Sequence, residues 1–580
     1  MLYVDVIVKQ RSKVEELTYA VPASMVPYIR SGSLVSVPLR RRIVAGIVVS
    51  LRRSVSRDLK EKIKPLAAIE RDKQLSTAEI TVVRQLAQHY GASLGEVGFH
   101  ALDQPFTLRS RIAAVSPVRP TFFQLPVAQR LDTYIRLITK HADASFVCIF
   151  AQKSFLEYFC ESAKKSGLEV VVADETVRFR KAIESKLAAN ERYVIATTSS
   201  GAFLPLASGD GLIIDQPSHI GLKQQQRPYM RVKTIARIRA ACEQLRLFYG
   251  DDIPETADIL RFQKKEWVLR RAKVGLASLT VASRLRTSEV LLPSVQERIR
   301  SVSSAGGRCL VVTLARGWAS ALICRECGHL LDCPKCGRTL AVDRGQLICR
   351  YDNTLLDLPI KCPECRATTL HEVGEGVARI RAEIERLIPG TIVHELSSDQ
   401  PVMPASGVVV ATEKSLAFPA DQYDLVVLAS VDRMLGGVAL NDRWELVRMV
   451  RTLGTVTKEL LVQTFLPDDP IWTTAVGDLR SFFEHELGDR RTLKLPPYGM
   501  LVSVVAHGTD EVELRRLAIE VREQISRTIP TTAVGPPVVV PIGPKRFRAN
   551  VTFTAKSIST KEKHQLAKSL PFAWSIDLEP

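Results

Sequence analysis

No apolar run in the 580-residue sequence approaches the roughly eighteen residues that a membrane-spanning helix requires. The start of the chain also lacks the basic-then-apolar order of a secretory signal peptide. Glycine and proline contribute 31 residues each, and 24% of the chain is charged, which excludes a collagen-like or largely disordered protein. We therefore predict a soluble, cytoplasmic protein, and the chain length predicts roughly three to five domains.

A phosphate-binding loop is also missing. The string G-x-x-x-x-G-K-[ST], whose backbone N–H groups and lysine hold the β- and γ-phosphates of a nucleotide, occurs nowhere in the sequence. This absence excludes the usual nucleotide cradle of helicases and related ATPases.

The charge of the chain indicates its class of partner. Lys and Arg total 80 against 62 Asp and Glu, and the resulting net charge of +18 favours a polyanion such as nucleic acid. Residues 1–60 hold eleven basic and four acidic residues, and residues 540–568 hold seven basic residues and one acidic residue. The positive excess therefore lies at both ends of the sequence.

Seven of the eleven cysteines lie in one short segment. They form three Cys-x2-Cys pairs and one single cysteine: Cys324 with Cys327, Cys333 with Cys336, Cys362 with Cys365, and Cys349. Each pair places two thiolates on one tight turn, called a knuckle, and two knuckles complete a tetrahedral four-sulfur site. Thiolate ligands in tetrahedral geometry favour zinc, with an iron–sulfur cluster as the minor alternative.

One four-sulfur site leaves three cysteines for a second site. A fourth knuckle would place its second ligand at position 352, which is Asp352. Because a carboxylate is an acceptable zinc ligand, the sequence predicts a Cys3Asp site, and a weakened or empty second site remains the alternative. The segment is nearly neutral before its thiolates are counted, so it favours a protein partner rather than phosphate.

Hydrophobic periodicity predicts a small domain at each end of the chain. Short alternating strands followed by a helical stretch at Thr77–Tyr90 predict a β barrel or sandwich domain over residues 1–110. Residues 485–580, with a helix predicted at Glu511–Thr528, are typical of an α+β domain.

The middle of the chain has the pattern of an α/β protein. Near-continuous apolar strands alternate with amphipathic helices and predict two parallel-sheet lobes, at residues 120–260 and 290–480. The cysteine-rich segment, residues 321–368, is an insert in the second lobe. The first lobe is predicted to open with the strand at Phe146, and its strand Gly211–Asp215 ends where an acid that holds Mg²⁺ would lie.

Several short segments match a known family. They lie before and after the cysteines and at both ends of the chain: Leu17–Pro22, Glu96–Leu102, Arg316–Cys324, Gly374–Gly376, Thr464–Pro470, Leu495–Tyr498 and Ile576–Pro580. Together, in colinear order, they resemble the bacterial PriA family (primosomal protein N′), superfamily-2 helicases of replication restart. The resemblance implies two RecA-like lobes, a DNA 3′-end-binding domain at the start, and forked DNA and primosome or replisome-loading proteins as partners.

The resemblance also implies the pairing of the metal ligands. In that family the first and last knuckles share one zinc ion and the middle ligands share another. Carried over, the first site is Cys324, Cys327, Cys362 and Cys365, and the second is Cys333, Cys336, Cys349 and Asp352. Two zinc ions are therefore expected.

The sequence departs from the family pattern at the ATPase motifs. The phosphate loop is missing, the Asp-Glu-Glu-His box reads Asp215-Gln216-Pro217-Ser218-His219, and the arginine motif is reduced to Arg451. Leu17-Thr18 replaces the Phe-Asp of the 3′-end pocket. Because three separate parts of one ATPase site have changed, we predict a family member that no longer hydrolyses ATP, with no catalytic residue assigned.

The leading hypothesis is a zinc-containing, DNA-binding component of the replication-restart primosome that keeps the helicase fold as architecture. The alternatives are an active ATP-dependent 3′–5′ helicase with a divergent nucleotide site and a zinc-ribbon nucleic-acid-binding regulator. For DNA contact we predict that Arg40, Arg41 and Arg42 bind phosphates and that Tyr19 offers a stacking face.

Overall fold

The computed structural model describes residues 2–8, 16–56, 62–102, 119–173, 185–186, 191–284, 289–314, 321–334, 339–343, 345–349, 354–396, 406–412, 423–436, 440–529, 533–543, 546–571 and 574–579. No helix in these ranges is both long enough and apolar enough to cross a membrane.

The first domain is a five-stranded antiparallel sheet with the strand order β2-β1-β4-β3-β5. Its elements are β1 (Leu2–Val8), β2 (Leu17–Val21), β3 (Ser33–Leu39), β4 (Arg42–Arg52), β5 (Ala68–Gln74), α1 (Thr77–Tyr90) and α2 (Leu94–Leu102). Ala20 of β2 donates to the Lys64 carbonyl and accepts from the Leu66 N–H, both at 3.0 Å, and so joins the two edges of the sheet. The result is the small closed β domain that the alternating pattern predicts.

Both faces of this sheet are covered, which explains why β1 is almost continuously buried. Val4 and Val6 point into the barrel, whereas Ile7, on the opposite face, packs with residues of α1. Helix α1 begins at Ser76 with a reciprocal pair of hydrogen bonds to Glu79, and ends at Gly91 in the left-handed conformation (φ 59°).

The first lobe is a seven-stranded parallel sheet with the order β12-β6-β11-β10-β7-β9-β8. Its elements are β6 (Thr121–Gln124), α3 (Val127–Lys140), β7 (Phe146–Phe150), α4 (Lys153–Lys165), β8 (Val171–Val172), β9 (Val194–Thr197), β10 (Gly211–Asp215), α5 (Val232–Glu243), β11 (Arg246–Asp251), α6 (Thr256–Gln263) and β12 (Val268–Arg271). The prediction that the lobe opens at Phe146 is wrong, because β6 and α3 precede β7. Strand β6 has only four residues and is followed closely by Pro126, so it is too short to show a clear period.

The second lobe is a six-stranded parallel sheet with the order β13-β23-β22-β14-β21-β20. Its elements, with the insert strands β15–β19 among them, are β13 (Ser278–Ser283), α7 (Pro293–Ser304), β14 (Arg308–Thr313), β15 (Ala321–Cys324), β16 (Ala341–Asp343), β17 (Gln346–Ile348), β18 (Leu355–Asp357), β19 (Leu370–Val373), α8 (Val377–Leu387), β20 (Val393–Leu396), β21 (Gly407–Thr412), β22 (Tyr423–Ser430), α9 (Asp432–Leu435), α10 (Asp442–Gly454), β23 (Thr457–Thr464), α11 (Ile471–Val476) and α12 (Leu479–Thr492). The edge strand β13 precedes residue 290, where the lobe was predicted to begin. The parallel sheets confirm the predicted α/β fold class.

A single hydrophobic core runs through both lobes. It contains Phe150 and Ile213 from the first sheet, and Trp444, Trp472 and Phe483 from helices of the second lobe. Burying large aromatic side chains at the seam stabilises one relative position of the lobes, since each such side chain contributes a few kcal/mol when removed from water.

The last domain is a mainly antiparallel sheet covered by two helices. Its elements are β24 (Met500–Gly508), α13 (Glu511–Thr528), β25 (Ala533–Val534), β26 (Val538–Gly543), β27 (Arg546–Ala555), α14 (Thr560–Ser569) and β28 (Ser575–Asp577). Helix α13 has the bounds predicted from its periodicity, and the Asp510 side chain caps it by accepting from the Glu513 N–H.

Three domains meet at the residues around β28. Lys223 of the first lobe donates to Asp577 at 2.7 Å and to the Glu579 carbonyl at 2.6 Å. The Glu579 carboxylate accepts from Tyr90 of α1 at 2.7 Å and from Thr234 of α5 at 2.8 Å. We call Tyr90, Lys223, Thr234, Asp577 and Glu579 the terminal clamp; it connects the first domain, the first lobe and the last domain.

The clamp makes the stability of the protein depend on the charge of Glu579. Burial alone would raise the pKa of this carboxyl, but hydrogen bonds and charge from His89, with hydrogen bonds from Tyr90 and Thr234, lower it to about 2. The folded pKa is therefore below the ordinary value of 4.5, so the stabilisation is complete above pH 4.5 and is lost as the pH falls towards 2.

We predict that Glu579→Gln lowers the free energy of unfolding by about 1–3 kcal/mol at pH 7, since it removes a charged acceptor of several hydrogen bonds. The difference from the unsubstituted protein should shrink as the pH is lowered below 4.5. Urea unfolding at several pH values measures it. The matched control is Glu395→Gln, at an exposed position of β20, which should change stability little. A Glu579→Gln difference that is constant with pH would contradict the assignment.

Candidate functional site

The step from β6 to α3 lies beside Asp215, where a phosphate loop would be expected in a strand–loop–helix nucleotide site. Here the connection is only Leu125-Pro126. No glycine-rich turn is present, and helix α3 follows at once. Its fourth residue, Arg130, extends from the helix to the carboxyl end of β10.

Arg130 forms an ion pair with Asp215 at the carboxyl end of β10. Its Nε and Nη2 donate to the two carboxylate oxygens of Asp215 at 2.6 and 3.3 Å, and Tyr134, one turn further along α3, donates to Oδ1 at 3.0 Å. The side chains of Arg130 and Asp215 are both 0% exposed. Both oxygens of Asp215 are thus engaged by groups of the chain itself.

Two further features hold the guanidinium in place. Its Nη1 donates to the Leu125 carbonyl at 2.7 Å and lies 3.7 Å from an oxygen of Asp252. A Cβ atom at position 250 would overlap the Tyr134 hydroxyl and the Arg130 side chain, so Gly250 of β11 provides the space for this arrangement.

The electrostatics of this cluster keep Arg130 charged. Burial disfavours its charge, but the carboxylates of Asp215 and Asp252 outweigh that effect and hold the pKa of Arg130 well above its usual value. A fixed internal cation therefore neutralises Asp215. The next residue, Gln216, carries a carboxamide, which cannot act as a carboxylate base.

The second lobe closes directly onto this cluster. Thr452 of α10 donates to Asp252 at 2.9 Å, and the Trp444 indole donates to the Pro254 carbonyl at 2.7 Å. Arg451, the remnant of the arginine motif, donates to the carbonyls of Ala475 and Gly477 within its own lobe.

The first and last knuckles meet, as the family resemblance implies. Cys324 and Cys365 have sulfur atoms 3.5 Å apart, Cys327 and Cys362 have theirs 3.7 Å apart, and all four sulfurs lie within 4.8 Å of one another. Tetrahedral zinc with Zn–S bonds of about 2.3 Å requires sulfur–sulfur distances of about 3.8 Å. The four thiols therefore fit a metal ion of this kind.

Backbone N–H groups favour the thiolate form of Cys324, which is the form that binds a metal. The N–H groups of Cys327 and Glu326 point at the Cys324 sulfur and lower the pKa of that thiol to about 6. Gly328 (φ 73°) turns the chain after the first knuckle, and Arg366 (φ 62°) adopts the same left-handed conformation after the last. Strands β15 and β19, which pair antiparallel, bring the two knuckles together.

The second predicted set is described only in part. Cys333 and Cys349 are 2% and 1% exposed and lie in the same small core of the insert. Cys336 and Asp352 lie outside the described residues.

The predicted DNA-binding residues fall into two environments. Arg40 and Arg41 form the tip of the β3–β4 hairpin and Arg42 begins β4, and all three are exposed. Tyr19 is 4% exposed, packs in the barrel core and donates to the Pro38 carbonyl. The prediction of a stacking face is wrong for Tyr19, because its ring lies on the inner face of β2. Thr18 donates to the buried Asp5 at 2.9 Å.

Comparison with known proteins supports the resemblance seen in the motifs. Residues 5–103 match the family model of the PriA 3′ DNA-binding domain. The replication restart protein PriA of Rickettsia conorii is 21% identical over 575 residues, with 87% of each chain covered. That of Bacillus subtilis is 25% identical over 358 residues, which are 56% of this chain and 44% of the relative. The similarity to PriA proteins therefore extends over most of the chain.

Solved helicase structures share less with this chain. The helicase Lhr of Mycobacterium smegmatis, bound to single-stranded DNA and AMP-PNP, is 14% identical over 59% of this chain and 43% of its own, with a TM-score of 0.32.

Sequence reasoning missed the residues that form the cluster around Asp215, namely Arg130, Tyr134 and Asp252. One signal was available for Arg130. It lies on the apolar face of α3, which buries Val127, Leu131 and Tyr134. A charged residue on that face predicts a buried partner.

We predict that Arg130→Met destabilises the protein by about 3–5 kcal/mol, because it leaves the Asp215 carboxylate buried without its cation. The double variant Arg130→Met with Asp215→Asn should recover part of that loss, since neither charge then remains. Thermal and urea unfolding measure both. If the loss of stability in the double variant equalled the sum of the losses in the two single variants, a direct pairing of Arg130 with Asp215 would be contradicted.

Proposed function

We propose that this chain is a DNA-binding component of the replication-restart machinery that recognises forked DNA and recruits replisome-loading factors without hydrolysing ATP. The observation that carries the proposal is the Arg130–Asp215 pair at the nucleotide position of a PriA-family fold. Hydrolysis requires a phosphate cradle, a metal-holding acid and a cation at the γ-phosphate. In the proposed function Leu125-Pro126 replaces the phosphate cradle, and Arg130 neutralises the metal-holding acid, Asp215.

Support for DNA binding comes from the first domain and from charge. The matched domain model describes binding to a DNA 3′ end, and the chain carries a net charge of +18. Arg40 adopts a left-handed φ of 54° at the hairpin tip, a conformation that costs free energy for a residue other than glycine. Arginine at such a position is consistent with selection for its charge.

The insert supplies the surface for a protein partner in this proposal. Ile360 and Leu355 are 84% and 57% exposed beside the four-cysteine site. We assign zinc to Cys324, Cys327, Cys362 and Cys365, and a second ion to Cys333, Cys336, Cys349 and Asp352.

Zinc analysis tests the metal assignment. We expect between one and two zinc ions per purified chain, and Cys362→Ser should remove one of them and make residues 321–368 sensitive to protease, because metal binding and local folding are coupled. The matched control is Cys242→Ser, at a cysteine outside the insert, which should retain the full zinc content. Protein without zinc would refute the assignment.

The absence of ATP hydrolysis has a direct kinetic test. We predict that ATP changes neither the affinity for a forked DNA nor its strand pairing, because Arg130 already occupies the metal side of Asp215. Steady-state phosphate release with saturating fork measures turnover. A DNA-stimulated rate above about 1 s⁻¹ that is lost in Asp215→Ala would instead establish an active helicase with a divergent site.

Removing the charges of the β3–β4 hairpin tests whether this hairpin contacts DNA phosphates. Replacing Arg40, Arg41 and Arg42 by glutamine should weaken fork binding and reduce the slope of log K against log salt concentration by roughly two to three. The control removes three charges from exposed helix arginines that pair with glutamates on the same helix, namely Arg381, Arg386 and Arg527. Equal slopes in the two triple variants would show that the hairpin does not contact phosphate.

A further inference from the structure

A cavity of about 630 Å³ lies at the seam between the lobes, next to the β6–α3 connection but separate from the Arg130–Asp215 pair. The first lobe contributes α6 and the residues at the end of β12. The second lobe contributes α12 and the end of α10. Its volume is within the range of pockets that hold small organic molecules.

Part of the cavity surface is apolar. Phe262 of α6, Leu269 of β12, Leu276 of the segment between the lobes, and Leu479 and Phe483 of α12 line it. These side chains favour a ligand with an aromatic or aliphatic body, since contact with them removes apolar surface from water.

The charged groups around the cavity are mostly cations available for an anion. Arg271 and Lys273 are exposed on the segment that follows β12. Two of the three acids in the lining are already engaged: Asp252 accepts from Thr452, and Asp478 pairs with Arg480 at 2.7 Å. The third, Glu484, is exposed on α12.

Arg451 adds a partly buried cation. Among the described residues it has no carboxylate within ion-pair distance, and its Nη1 donates only to the carbonyls of Ala475 and Gly477. Burial lowers its pKa, and the carboxylates of Asp252 and Asp478 offset that effect only in part, so the charge of Arg451 is only partly compensated in the folded protein. A bound anion would supply that compensation.

We propose that this cavity binds a small organic anion with an apolar body, such as an aryl sulfonate or a medium-chain carboxylate. The apolar body lies against Phe262, Leu276 and Phe483, and the anionic group lies towards Arg271, Lys273 and Arg451. Because the ligand touches both lobes, it stabilises their seam. The proposal does not depend on DNA binding, so it can fail while the proposed function stands.

The fluorescent probe 8-anilinonaphthalene-1-sulfonate tests the site on the full chain. We expect saturable binding of one probe per chain. Octanoate should displace it, whereas octylammonium, with the same chain and opposite charge, and acetate, with the same charge and no apolar body, should not. The proposal would be overturned if octylammonium displaced the probe as readily as octanoate does. It would also be overturned if ATP displaced the probe and octanoate did not.

Neighbouring arginines provide a matched pair of variants. Side chains of successive strand residues point to opposite faces, and Arg271 lines the cavity whereas Arg270 does not. Arg271→Glu should weaken probe binding about tenfold, the effect of losing one charged contact, and Arg270→Glu should leave it unchanged. Equal effects in the two variants would show that the probe senses only the net charge of the surface.

A second variant tests the apolar part of the cavity. Val274→Trp places an indole in the space that the body of the probe would occupy, and it should abolish saturable binding. Circular dichroism and fork binding serve as checks of folding. Undiminished binding in a folded Val274→Trp protein would place the probe elsewhere and overturn the assignment.

Discussion

The buried ion pair between Arg130 and Asp215 is the interaction on which the rest of the central fold depends. Two charges removed from water carry a large desolvation cost, which is offset only by good geometry and further hydrogen bonds. Here the geometry is a two-bond fork, and Tyr134 and the Leu125 carbonyl supply the additional bonds. Removing either partner would leave the other charge buried, so the pair fixes α3, β6 and β10 relative to one another.

This pair also connects the two lobes. Asp252 contacts Arg130 from one side and Thr452 from the other, so the same cluster of charged groups extends from the first lobe to the second. The aromatic core that runs across the seam adds the larger, non-directional contribution. A seam of this kind favours one arrangement of the lobes in the absence of any nucleotide.

The sequence predicts those features that depend on local pattern. The bounds of α13 follow from its 3.6-residue period, and several strands of both sheets follow from their apolar runs, although β6 was missed. The cysteine spacing predicts each knuckle, because a knuckle is a local turn. The pairing of the first knuckle with the last came from the family resemblance, because it depends on the fold. Arg130 could not be assigned in this way. Its partner lies 85 residues away, and their meeting depends on the order of β6, β11 and β10 in the sheet.

Tyr19, which was wrongly assigned to the surface, also shows that local sequence pattern does not determine which residues are buried. An aromatic residue in a domain with an excess of basic residues is typical of a nucleic-acid surface, yet its position on β2 turns the ring into the barrel. Alternation along a strand gives two faces but does not say which one is inside until the sheet closes. In this domain the closure is made by Ala20, whose bonds to the segment before β5 join the sheet edges.

The terminal clamp connects the two basic ends of the sequence. Residues 1–60 belong to the domain whose helix α1 donates from Tyr90 to Glu579, and residues 540–568 belong to the domain that carries Glu579. Lys223 and Thr234 bind the same short segment from the first lobe. Because side chains from two other domains converge on this one short segment, the clamp restrains the relative positions of all three domains. The first and last domains are therefore both attached to the first lobe, and a rigid polyanion that contacted both would bind without loss of domain freedom.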